Sequence, residues 1–281
     1  MITTIDRPAT FAAHTSTTLP GVLTPDQIRR AAPSVYAETP WDGMSDRYGF
    51  VPTSAVLATL AGEGFHPVRA MQSRSRIPGK SAFTRHMIRF RHTDYLRPVA
   101  VLGAEIPEIV LTNSHDGTSA YQLAAGIFRL ICTNGMVVQS RDFGTVSVRH
   151  SGSDEFGNKI IDATYEVLGT TALTMDRIEQ WKSITMSPPQ RLALADAATE
   201  LRPNGVRPDM LLHPKRVADN AADLWTTVNV IQENFIRGGV IGRNVDTGRR
   251  FRTRPVNSVG EDMRINRGLW TLAESAATIL A

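Results

Sequence analysis

The chain has 281 residues, 42% of them hydrophobic, and a formal net charge of +4 at pH 7. This length and composition predict a folded protein with a substantial core and exclude a disordered or fibrous one. The single cysteine, Cys132, excludes both an intrachain disulfide framework and a zinc site built on several cysteines. No apolar run reaches the roughly 20 residues of a membrane helix, and the N-terminus lacks the apolar segment of a signal peptide. We therefore expect a cytoplasmic protein with no membrane partner.

The first 45 residues are rich in Thr, Ala and Pro and are predicted to form a flexible arm or a strap across a neighbour. They contain one helical candidate over residues 24–31, where Thr24 has the N-cap position and Pro25 the first helical position. Residues 46–185 are predicted to form an α+β core, and residues 186–281 a helical region packed on it.

The core begins with a predicted helix after Pro52, which Gly62 and Gly64 end. A strongly basic window follows over residues 66–97, where eight arginines and lysines accompany a single acid, Asp94, for a net charge of +7. Within it, residues 72–80 are predicted to form a loop. Residues 83–91 alternate charged and bulky side chains, which is typical of a strand.

A central hairpin is predicted over residues 109–138, because Asp116-Gly117 is a dipeptide that favours a hairpin turn. Two strands are predicted before it, at 99–102 and 105–111, and Pro107 in the second favours a sheet edge or a bulge. Residues 120–128 alternate with period two and are predicted to form a strand, with a helix as the alternative.

Residues 143–149 are predicted to form another strand and residues 152–158 an exposed loop. Beyond them the apolar period becomes helical. Helices are predicted over residues 160–168, 173–184, 188–201, 214–237 and 269–280. A second basic run, residues 237–254, holds six arginines and one acid, for a net charge of +5, and its residues 243–254 are predicted to form a loop. The fold class expected is therefore α+β, an antiparallel sheet packed by helices with a helical C-terminal region.

Five segments together carry a resemblance to a known family. They are Phe83 to Arg91, Glu108 to Gly117, Phe128 to Gly135, Leu224-Trp225 with Gln232-Glu233-Asn234, and Asn266 to Trp270. The chain resembles, over roughly residues 45–281, the family catalogued as domain of unknown function 932. This resemblance implies a setting on plasmids, prophages and integrative elements and a link to DNA handling or host defence. It supplies no catalytic residue.

The two basic windows place a concentrated positive charge on a chain whose remainder is acidic, which is typical of a phosphate-backbone binder. Arginine dominates both windows, and its fork binds phosphate and stacks on bases. The candidate phosphate-binding residues are Arg74, Arg76, Lys80, Arg85, Arg89, Arg91, Arg243, Arg249, Arg250, Arg252 and Arg254. The candidate stacking residues are Phe83, Phe90, Tyr95 and Phe251. The alternative is a solvated strand face and loop, with the aromatic side chains in the core.

A second set of polar residues surrounds the predicted turn: Asn113, His115, Asp116, Arg129 and Asn134. If folding joins them, they form a pocket for a nucleotide or a metal, with His115 and Asp116 as acid-base groups. The alternative is that the polar residues of the turn bond its backbone. The histidine spacing matches no metal-binding motif, and no cofactor motif is present, so neither group is predicted.

The sequence favours a sequence-tolerant nucleic-acid binder that prefers single-stranded DNA, assists annealing and forms homo-oligomers. Two other functions remain open. The first is an enzyme acting on nucleotides or nucleic acid through the His115 region. The second is an anti-defence or regulatory protein whose basic face docks an acidic host protein.

Overall fold

The computed structural model describes residues 21–45, 48–96, 104–129, 134–137, 145–148, 156–203, 205–244 and 247–280. The strand predicted at 99–102 and the first 20 residues of the predicted arm lie outside them, as does most of the loop predicted at 152–158. The fold is α+β, as predicted, with an antiparallel sheet, helices packed on it and a helical C-terminal region.

The central sheet has six strands in the order β1-β2-β3-β4-β5, with β6 also paired to β4. The strands are β1 Phe65–Gln72, β2 His86–His92, β3 Glu105–Asn113, β4 Tyr121–Arg129, β5 Asn134–Val137 and β6 Val146–Val148. The strand predictions at 105–111 and 120–128 are confirmed, and so is the central hairpin, whereas the strand predicted at 83–91 begins at His86. Gly117 adopts φ 73° in the turn, a left-handed conformation that glycine accepts without strain.

Pro107 lies on an interior strand, although proline favours the edge strands of a sheet. The ladder between β2 and β3 ends at the pair Phe90 and Ile109, so Pro107 is past the last residue that β2 pairs. On its other side Pro107 pairs with Ile127 of β4. Its missing N–H is tolerated because the strand has a single partner at that point.

Eight helices are present in the described ranges. They are α1 Pro25–Ala31, α2 Thr53–Gly62, α3 Phe156–Gly169, α4 Thr171–Ser183, α5 Pro188–Thr199, α6 Pro208–Leu211, α7 Leu224–Arg237 and α8 Val259–Leu280. None of these helices is long and apolar enough to cross a membrane.

Two helix predictions need correction. The helix predicted from residue 214 begins at Leu224, because the Asp223 carboxylate caps it by accepting from the Thr226 N–H at 2.7 Å. The last helix begins ten residues before its predicted start, at Val259. The arginine-rich segment predicted as a loop contains a short hairpin of β7 Ile241–Arg243 and β8 Arg250–Arg252.

Part of the predicted arm belongs to the core. Ile28 of α1 is 2% exposed, and Ala32 and Val35 are fully buried. The backbone also joins the sheet, since the Leu23 N–H donates to the Pro67 carbonyl at 2.8 Å. The expectation of a flexible arm is therefore wrong for residues 23–35, where apolar burial compensates for the lost chain entropy.

Three tryptophans from α4, α7 and α8 form the centre of the helical layer. Trp181, Trp225 and Trp270 are each at most 1% exposed, and the Trp181 and Trp270 ring centroids are 4.5 Å apart. Glu105 of β3 accepts from the Trp225 indole N–H at 2.8 Å. The cluster therefore joins the sheet to helices on both sides of the domain boundary predicted at residue 185.

Candidate functional site

The β7–β8 hairpin presents a concentrated group of exposed cations. Arg243, Arg249, Arg250, Arg252 and Arg254 are all exposed. No ion pair within the described ranges involves any of these five. Their charges are therefore available to an external anion.

Strand alternation explains why the arginines of this hairpin point outward. Phe251 lies against Gly242, where an added Cβ would be 2.5 Å from the Phe251 ring. Arg250 and Arg252, its neighbours in the strand, consequently face the other side. Because Phe251 is half-buried against its own hairpin, a ligand base can reach only part of its ring.

The first basic window divides into exposed and buried members. Arg74 and Arg76 are exposed in the connection between β1 and β2. Lys80 is half-buried and pairs with Asp116, with 3.3 Å between Nζ and Oδ2. Arg85 is half-buried and donates from Nη2 to the Thr118 carbonyl at 2.7 Å.

Arg89 and Arg91 are not placed to bind phosphate, which corrects the prediction. Both are 1% exposed. The Arg89 Nε donates to Glu108 Oε2, and the Arg91 Nε donates to Glu108 Oε1 at 2.7 Å. The Arg91 guanidinium also lies 4.1 Å from the centre of the Phe128 ring. A buried guanidinium is retained only when it is paired, and Glu108 pairs both.

The predicted stacking residues also divide. Phe90 is fully buried, so the stacking prediction is wrong for it. Phe83 is half-buried and meets Trp41 edge to face at 5.4 Å. Tyr95 is 40% exposed and is the most accessible of the four rings.

Folding brings the segment that follows the second basic window into contact with the first window. The Val259 N–H, just after the second window, donates to Ser73 Oγ in the first window at 3.2 Å. Burial lowers the pKa of Arg69, and the positive charge of Arg237, from the second window, is one of the charges that act on it.

The second predicted set of residues is not assembled into a pocket. Asn113 and His115 are fully buried around the Thr53 hydroxyl, which lies 3.1 Å from Asn113 Nδ2 and from His115 Nε2. Arg129 lies at the opposite end of β4, where it pairs with Asp219 at 2.7 Å. Asn134 pairs with Arg129 across β4 and β5, so it too lies far from the turn.

Asp116 has a role in the turn. Its Oδ1 accepts from the Thr118 N–H at 3.1 Å and from the Thr118 hydroxyl at 2.6 Å. Burial raises the pKa of Asp116, but hydrogen bonds from Thr118, Ser114 and Lys80 outweigh burial and lower the pKa below its usual value. A carboxylate held ionised and bonded to its own turn is a structural group.

Sequence reasoning did not single out His86, which is central to the same buried network. Its Nδ1 lies 2.8 Å from Ser34 Oγ, its Nε2 lies 2.9 Å from Thr53 Oγ1, and its ring centroid is 5.4 Å from that of His115. Burial first, and the neighbouring His115 second, lower the pKa of His86 to about 3. His86 is therefore neutral and joins the N-terminal segment to the sheet. The available signal in the sequence was the period-two pattern, which puts His86 on the same strand face as the apolar Ile88 and Phe90.

The described ranges contain no group of three or more His, Cys, Asp and Glu side chains placed to bind a metal ion.

Residues 41–270 match the family model for the domain of unknown function DUF932. Two relatives from Escherichia coli strain K12, UPF0380 protein YafZ and UPF0380 protein YfjQ, are each 40% identical over 262 residues. In both cases the match covers 92% of this chain and 93% of the relative. No solved structure matches.

Proposed function

The chain belongs to the DUF932 family, whose name assigns no activity, and we propose that it binds nucleic acid, with a preference for single strands. The observation that supports this proposal is the set of five exposed arginines between residues 243 and 254, none of which forms an ion pair within the described ranges. Arg74 and Arg76 extend the exposed set to seven. Unneutralised guanidiniums on one hairpin match a repeating phosphate backbone in charge and in hydrogen-bonding geometry.

Single strands are favoured because arginine also stacks on unpaired bases and because Tyr95 offers an accessible aromatic face. Such an interface would bind strands with little regard to sequence. An oligomer of this chain would then anneal or protect strands in the cytoplasm.

The salt dependence of binding tests this proposal. A fluorescent single-stranded oligonucleotide with a 5′-hydroxyl end is titrated with protein at several salt concentrations, and binding is read by anisotropy. If seven arginines contact phosphates, log K falls with log salt at a slope of about −5, at about 0.7 per contact. A flat salt response, or no binding at micromolar protein, overturns the proposal.

A double variant locates the interface. Arg243→Ala with Arg250→Ala should reduce the slope by about 1.4 and weaken binding about 25-fold at 0.1 M salt. The matched control is Arg29→Ala with Arg30→Ala, which removes the same charge from exposed positions on α1. Equal losses in the two variants would show that net charge, and not the hairpin, carries binding.

A further inference from the structure

A cavity of about 290 Å³ lies between the sheet and the first turns of α8. Its lining includes Arg85, Thr112, Ser119, Gln122, Arg264 and Arg267. The sheet provides two of these side chains directly, since Thr112 of β3 and Gln122 of β4 are register partners. Three guanidiniums, two hydroxyls and an amide therefore border one small space.

Two of the three guanidiniums have unused donors. The Nε atoms of Arg85 and Arg267 are buried and have no hydrogen-bond partner among the described residues. Each side chain is held by a neutral oxygen instead, since Arg267 Nη2 donates to Thr145 Oγ1 at 2.8 Å and Arg85 Nη2 to the Thr118 carbonyl at 2.7 Å. Neutral oxygens therefore hold these two guanidiniums in place, and the negative charge that would balance them is left to a ligand.

Two of the three positive charges of the cavity are uncompensated. Arg264 is neutralised by Glu261, with 2.7 Å between Nη2 and Oε1. No ion pair in the described part of the chain involves Arg85 or Arg267. Burial lowers the pKa of Arg267, and the like charge of Arg85 lowers it further. An anion with two negative charges would remove this repulsion.

We propose that this cavity binds a phosphomonoester group, supplied by a free mononucleotide or by the 5′ end of a nucleic-acid strand. A terminal phosphate carries close to two negative charges at pH 7 and offers three acceptor oxygens. The fork of arginine binds such a group through paired hydrogen bonds. The volume is at the lower limit of small-molecule pockets, which suits a phosphate and the sugar next to it. The strand-end source rests on the proposed function, whereas the mononucleotide source does not.

Calorimetric titration of the full chain tests the site with inorganic phosphate, deoxyadenosine 5′-monophosphate and deoxyadenosine. The two phosphates should bind and the nucleoside should not. Arg267→Gln should weaken phosphate binding at least about tenfold, because it removes a charged donor pair. Arg85→Gln should do the same. Arg267→Lys, which keeps the charge but loses the fork, should recover only part of the affinity and is the variant to rely on if Arg267→Gln fails to fold.

Two oligonucleotides that differ only in a 5′-phosphate or a 5′-hydroxyl separate the two sources. A preference for the 5′-phosphate that is lost in Arg267→Gln supports the strand end, whereas mononucleotide binding without that preference supports the free nucleotide. The control is Arg74→Gln, which removes one exposed charge outside the cavity and should weaken both oligonucleotides equally while leaving mononucleotide binding unchanged. Phosphate and mononucleotide binding that is absent, or unchanged in both cavity variants, overturns this inference. That result leaves the salt-dependent binding of the 5′-hydroxyl strand as a separate test of the proposed function.

Discussion

Mild acid should destabilise the protein through His86. This imidazole is fully buried, and its pKa is lowered to about 3, so the folded state holds it neutral at pH 5 to 7. In the unfolded chain its pKa returns to about 6.5, and the unfolded state binds a proton that the folded state does not. The stabilising contribution is therefore complete above pH 6.5 and is lost as the pH falls towards 3.

The magnitude follows from the linkage relation. Between pH 7 and pH 5, protonation of His86 stabilises the unfolded state by about 1.36 kcal/mol per pH unit over about 1.5 pH units, which should lower the unfolding free energy by about 2 kcal/mol. The folded-state value matters little, because a pKa of about 3 lies well below this pH range.

Urea unfolding at pH 7, 6 and 5 measures this loss in the wild type and in His86→Gln. The wild type should lose about 2 kcal/mol more than the variant between pH 7 and pH 5, whatever stability the variant has at pH 7. His213→Gln is the matched control, since His213 is exposed, and it should follow the wild type. An equal loss in the wild type and His86→Gln would refute the reasoning.

Two further stability changes follow from the contacts of single carboxylates. Glu108→Gln leaves buried Arg89 and Arg91 without their counter-charge and should lower the unfolding free energy by about 3 to 5 kcal/mol. Urea unfolding measures this loss, and an unchanged midpoint would contradict the buried pairing. Asp223→Ala removes the cap of α7 and should cost about 1 kcal/mol, whereas Asp223→Asn should keep most of the stability, and equal melting temperatures for the two variants would contradict the cap.

The sequence predicted the elements whose signals are local. Alternation over residues 120–128 is confirmed as β4, and the N-cap at Thr24 is confirmed by its hydroxyl accepting from the Gln27 N–H at 3.3 Å. The helix prediction was wrong for residues 214–223, because their apolar residues have helical spacing although Val217 is 86% exposed. Periodicity reflects only the types of residue and their spacing. It does not show that the Leu224 N–H donates to the Ile184 carbonyl at 3.0 Å, a long-range contact that keeps the preceding residues out of the helix.

The hairpin at residues 241–252 was missed for a related reason. Its strands have three residues each, and arginine makes up half of these residues, so no hydrophobic alternation identifies them. The contact that holds them together is Phe251 on Gly242, a pair that is formed only when the chain turns back on itself. A single phenylalanine between arginines was visible in the sequence, but its partner nine residues earlier was not.

Counting arginines along the sequence overstates the charge available to phosphate, because burial depends on a partner that is distant in sequence. Glu108, in the next strand, pairs with both Arg89 and Arg91, while Asp116 pairs with Lys80. If all eleven predicted cations contacted a single strand, the salt slope would be about −8, whereas the seven exposed arginines give about −5. A measured slope near −8 would mean that the sheet opens to release the buried pair, and Glu108→Gln would then strengthen binding. A slope near −5, unaffected in a folded Arg91→Met variant, assigns the two buried arginines to the fold.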